Sequence, residues 1–65
     1  MFRELNENER KVLIYLEIRT KVEVIRLEDV LNEIQDITVV EVVKSLAVLK
    51  TRGFIVIGEF ITINR

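Results

Sequence analysis

A chain of 65 residues is one domain, near the lower size at which a core forms without covalent staples, and it buries only about 60% of its unfolded surface. With no cysteine and no histidine it can form no disulfide and, in practice, no zinc site, so stability has to come from apolar packing. Ten basic residues against eleven acidic ones leave a formal charge of −1, which calls for neither nucleic acid nor an anionic membrane, while the 49% hydrophobic share exceeds what so small an interior needs.

The opening Met-Phe-Arg-Glu-Leu-Asn-Glu lacks the apolar centre of a signal peptide, and no uninterrupted apolar run approaches the ~20 residues of a membrane span. A soluble cytoplasmic protein starting naturally at Met1 is expected. Asn6 with Glu9 forms a capping box, which predicts a first helix over 7–19. At 100° per residue Val12, Leu13, Leu16 and Thr20 form its core face. Ile14 and Ile18 fall on nearly the opposite side with Tyr15 between, a first sign of a second apolar surface.

Lys21-Val22-Glu23-Val24-Ile25 alternates and is β-branched, predicting a short strand over 22–25. Leu27, Val30, Leu31 and Ile34 give a helical stripe, placing a second helix at 28–34 with Glu28 and Asp29 at its positive end. Gln35, Asp36 and Ile37 make a tight connection of helix-turn-helix length. Thr38 with Glu41 is a second capping box, Ile37 and Val42 a hydrophobic staple, and Gly53 a stop after the cations Lys50 and Arg52, so a third helix is expected over 39–52. Val39, Val42, Val43, Leu46 and Leu49 are expected to point inward, and Val40, Glu41, Lys44, Val48 and Thr51 outward.

Ile57-Gly58-Glu59-Phe60 offers a two-residue type II′ loop. Pairing Ile57 with Phe60 sets Ile55 opposite Thr62 on one face of a hairpin and puts Val56 with Ile61, and Phe54 with Ile63, on the other. Both faces would then be apolar: one covers the core, and the other is either buried by a partner or left as an exposed patch.

The order helix, strand, helix, helix, strand, strand, with Leu46-Ala-Val-Leu49-Lys-Thr-Arg-Gly53-Phe-Ile55 at the end of the third helix, resembles the winged helix-turn-helix superfamily over about Asn6 to Ile63. The resemblance implies an α+β fold in which a three-helix core carries a small antiparallel sheet. Isoleucine, valine, glutamate and lysine usage also resembles that of small proteins from thermophilic archaea or their viruses. Family members usually lay the third helix in the DNA major groove, while many others are protein-interaction modules.

Carried onto this chain, the resemblance offers Thr38, Val40, Lys44, Ser45, Lys50 and Arg52 as DNA contacts. Lys44 would meet a phosphate or guanine edge, Ser45 a phosphate and Val40 a thymine methyl. Lys44, Lys50 and Arg52 read equally well as a solvated helix face with cations at its negative end. Against DNA stand five acids between Arg26 and Lys44 with no base among them, and a wing tip of only Gly58-Glu59. Ile14, Tyr15, Ile18, Phe54, Val56, Phe60 and Ile61 are the expected surface for a homodimer or a protein partner. Catalysis has no support: Ser45 has no histidine to activate it, and the two glycines make no phosphate loop. No cofactor, metal or small-molecule substrate is expected. Two readings remain, a small dimeric DNA-binding transcription regulator and a winged-helix interaction module.

Overall fold

The structure, a computed structural model, describes residues 5–64. Three helices, α1 (Glu7–Arg19), α2 (Leu27–Glu33) and α3 (Val39–Thr51), precede a two-stranded antiparallel sheet of β1 (Ile55–Ile57) and β2 (Ile61–Ile63). The chain is therefore α+β, and among the described residues it has two strands rather than three.

α1 begins where the sequence places it. Asn6 is extended, its side-chain oxygen accepts from the Glu9 N–H at 2.8 Å, and Glu9 accepts from the Asn6 N–H at 3.0 Å, satisfying two donors that the first turn leaves free. At the other end the N–H groups of Val22 and Glu23 both donate to the Arg19 carbonyl at 3.1 Å. Those bonds hold residues 20–23 in a turn, so the strand expected over 22–25 does not form. Only Ile25 reaches the sheet, through one bridge in which the Ile61 N–H donates to its carbonyl at 2.8 Å.

α2 starts one residue earlier than the stripe suggests, because Asp29 accepts from the Arg26 N–H at 3.1 Å and fixes Arg26 as the extended residue before the helix. It also ends one residue earlier, since Ile34 is already extended. Thr38 caps α3 by accepting from the Glu41 N–H at 3.1 Å. The reciprocal half of that capping box is absent, because the Glu41 carboxylate accepts from the Asn8 side chain on α1 at 3.3 Å instead.

The buried face of α3 is Val42, Ser45, Leu46 and Leu49, an i, i+3, i+4, i+7 stripe. Val39 and Val43, expected inside, are 55% and 47% exposed, while Ser45 is 2% exposed. The serine completes the buried stripe of α3.

α3 closes in a Schellman motif: the Gly53 N–H donates to the Lys50 carbonyl at 3.0 Å and the Phe54 N–H to the Leu49 carbonyl at 2.9 Å. Gly53 has φ +84°, the one positive φ among the described residues. The chain then enters β1 directly.

The hairpin register differs from the expected one. Ile55 pairs with Ile63, Val56 with Thr62 and Ile57 with Ile61, leaving a three-residue loop of Gly58, Glu59 and Phe60. A type II′ turn would need positive φ at Gly58, and Gly58 does not have it. The observed register puts Ile55, Ile57, Ile61 and Ile63 on one face and leaves Val56 and Thr62 on the other. Slipping by one residue would split those isoleucines between faces, so their burial outweighs the shorter turn. Asn64 locks the base of the hairpin, its backbone N–H donating to the Phe54 carbonyl and its side chain to the Gly53 carbonyl.

All five elements share one core, built from Leu5, Val12, Leu13 and Leu16, Ile25, Val30, Val42, Leu46 and Leu49, and Ile55 and Ile61. Ile37, Leu31 and Ile34 pack at its edge. Among the described residues no helix is long and apolar enough to cross a membrane.

Candidate nucleic-acid interface

α2 and α3 are joined by the short connection at 34–38. With Val42, Ser45, Leu46 and Leu49 turned into the core, the outer face of α3 consists of Val39, Val40, Val43, Lys44, Ala47, Lys50 and Thr51, all exposed. Of the expected DNA contacts, Thr38, Val40, Lys44 and Lys50 lie on this side, and Arg52 is exposed at the C-cap. Ser45 does not belong with them: at 2% exposure it cannot reach a phosphate. Val39, Val43 and Ala47 are outward residues that sequence reasoning missed. The signal was available, because an inward 42/45/46/49 stripe leaves 39, 43 and 47 outside.

The acids are arranged differently from what their order along the chain suggests. Asp29 is held at the start of α2 by the Arg26 N–H. Glu33 accepts from the Tyr15 hydroxyl at 2.5 Å and lies 3.5 Å from Arg19 Nε. Asp36 pairs with Lys11 at 3.3 Å, and Glu41 accepts from Asn8. Glu33, Asp36 and Glu41 thus all turn to partners on α1. Glu41 is the one acid in α3, so Lys44 and Lys50 are the charges left on its outer face. Glu28 on α2 and Glu59 at the loop remain exposed.

Tyr15 records this arrangement chemically. Its hydroxyl is pushed up to about 12, first by burial and then by the hydrogen bond to Glu33 and its charge, with Arg19 acting in the opposite sense. Tyr15, Ile14 and Ile34 floor a shallow groove between α1 and α2, rimmed by Lys11, Glu33 and Asp36.

The residues expected at a partner surface differ in their exposure. Ile14 and Ile18 on α1 are 55% and 61% exposed, and Val56 is half exposed on the outer face of the hairpin. Tyr15 and Phe54 are half-buried. Phe60 is half-buried beneath the Arg26 guanidinium, 5.5 Å from its ring centre, a contact the sequence did not suggest. Ile61, at 1% exposure, is a core residue and available to no partner. The apolar back face expected of the hairpin is absent, because the register turns the isoleucines inward. No protein-family model matches this chain, and neither does any curated protein or solved structure.

Proposed function

We propose that this protein is a small winged-helix DNA-binding protein acting in transcription, with α3 as the helix that enters the major groove. One observation carries the reading. The carboxylates of Glu33, Asp36 and Glu41 are engaged by Tyr15, Lys11 and Asn8 of α1, so the outer face of α3 is left with Lys44 and Lys50 as its charges. Lys44 and Lys50 then contact phosphates or guanine edges, and Val40, Val43 and Ala47 supply methyl groups of the kind that meet thymine methyls. Such a face prefers T-containing major grooves over uniform G·C duplex.

Titration of T-rich and G·C duplexes with the wild type and with Lys44→Ala and Lys50→Ala tests this. Both substitutions weaken binding to any duplex; a Lys44→Ala/Lys50→Ala double variant that binds as tightly as the wild type would sink the reading.

The alternative, an interaction module, is favoured by one feature. Val39, Val40 and Val43 are 55%, 61% and 47% exposed on a single helix face, more aliphatic surface than a phosphate-binding helix requires. Absence of DNA binding at low salt, with Lys44 and Lys50 intact, selects it.

A further inference from the structure

The outer face of α3 has an internal order beyond its two charges. At 100° per residue Lys44 and Lys50 stand about 120° apart around the helix, and the exposed Val40, Val43 and Ala47 fall between them. Among the described residues neither lysine makes an ion pair. The aliphatic strip between them has no side-chain group that donates or accepts a hydrogen bond. The polar side chains that could have supplied one are engaged or distant. Thr38 accepts from the Glu41 N–H as the cap, the Glu41 carboxylate is turned to Asn8 on α1, and Ser45 is in the core. Thr51 closes the helix, roughly 10 Å along the axis from Lys44.

Cations on both flanks with methyl groups between them fit the cross-section of a major groove, about 12 Å wide, whose walls are phosphate and whose floor is base edges. α3 contains no asparagine, glutamine or arginine, the side chains that pair with adenine and guanine edges. What an aliphatic strip can meet on that floor is the C5-methyl group of thymine. A methyl on C5 of cytosine is the same group in the same groove. We propose that α3 reads C5-methyl groups instead of base-edge hydrogen bonds, so that duplex DNA carrying 5-methylcytosine is a ligand of this face just as thymine-containing duplex is. The inference rests on the reading of α3 as the DNA-contacting helix and names what that helix selects.

Fluorescence titration of the full chain at low salt with four labelled duplexes tests it: a G·C-rich duplex, the same duplex with every cytosine methylated at C5, an A·T-rich duplex, and the same duplex with uracil for thymine. Burying one methyl group is worth about fourfold in affinity. Methylation therefore tightens binding by at least about fourfold, and uracil loosens it by at least about fourfold. Val40 and Val43 are 61% and 47% exposed, so Val40→Ser/Val43→Ser keeps the helical circular dichroism and brings the two members of each pair to within about twofold. Salt-dependent binding that is equal for methylated and unmethylated duplex would overturn this proposal and leave the DNA-binding reading standing. A methyl preference that survives Val40→Ser/Val43→Ser would overturn it too, by placing the preference in the shape of the duplex. Absence of binding to all four duplexes overturns both proposals together.

Discussion

Gly53→Ala is the sharpest probe of how the helical core is joined to the hairpin. Gly53 sits at φ +84°, and a Cβ built there meets no atom within 4 Å, so the substitution introduces strain in the backbone and none in packing. Holding an L-residue in the left-handed region costs about 1–2 kcal/mol, from which the stiffer unfolded chain of the alanine variant recovers roughly 0.5 kcal/mol. The net loss is about 1 kcal/mol. For 65 residues the unfolding entropy near the midpoint is about 0.14 kcal/mol/K, so Tm falls by about 7 °C in a circular-dichroism melt. Gly53→Asn loses less, because asparagine tolerates this region better. Gly58→Ala is the matched control: Gly58 has no positive φ, and its Cβ would come no closer than 4.0 Å to the Phe60 carbonyl oxygen. It should melt within about 2 °C of the wild type. A Gly53→Ala variant as stable as the wild type would refute the Schellman closure. A Gly58→Ala variant as damaged as Gly53→Ala would point to the two-residue type II′ turn instead of the three-residue loop.

Two further outcomes follow from the core and from Tyr15. Leu49→Ala, at a fully buried position between α3 and the rest of the core, costs about 2–5 kcal/mol in urea unfolding, enough to leave so small a domain largely unfolded, whereas Val40→Ala on the outer face changes stability by less than about 0.5 kcal/mol. Tyr15 is the single tyrosine and there is no tryptophan, so ultraviolet titration of the folded protein should show phenolate forming near pH 12 rather than 10. Because the folded pKa is the higher one, the protonated tyrosine contributes stability that is complete below pH 10 and is lost as pH rises through 12. Tyr15→Phe removes that part of the alkaline decline, and a titration midpoint near 10 would show that neither the burial of the hydroxyl nor its Glu33 contact holds in solution.

Local chemistry made much of the fold legible. The starts of α1 and α3 and the stop after α3 could be read directly because Asn6, Thr38 and Gly53 satisfy those helix ends within a few residues of themselves. Errors arose where a local preference met a longer-range one. Gly58-Glu59 is a good two-residue turn, yet the alternation of Ile55, Ile57, Ile61 and Ile63 requires an odd loop. The β-branched residues after Lys21 suit a strand, yet the N–H groups of Val22 and Glu23 are used by the turn that ends α1. The family resemblance sets Ser45 among the outward residues, although its spacing from Val42 and Leu49 puts it inside.

The candidate site was half legible for a related reason. Its cations and its outward valines follow from helical phase, but the partners of the acids do not. Asn8 and Glu41 are 33 residues apart, and Tyr15 and Glu33 are 18 apart, separations that no periodicity in the sequence reveals. A charge map drawn along the chain therefore does not show which acids turn toward α1.

The central claim is best tested by the salt dependence of duplex binding. Two phosphate contacts, from Lys44 and Lys50, predict a slope of log affinity against log salt of about −1.8, roughly a twelvefold loss between 50 and 200 mM, halved to about −0.9 in Lys44→Ala. A slope near zero, or one that Lys44→Ala leaves unchanged, would contradict the assignment of α3 as the DNA-contacting helix.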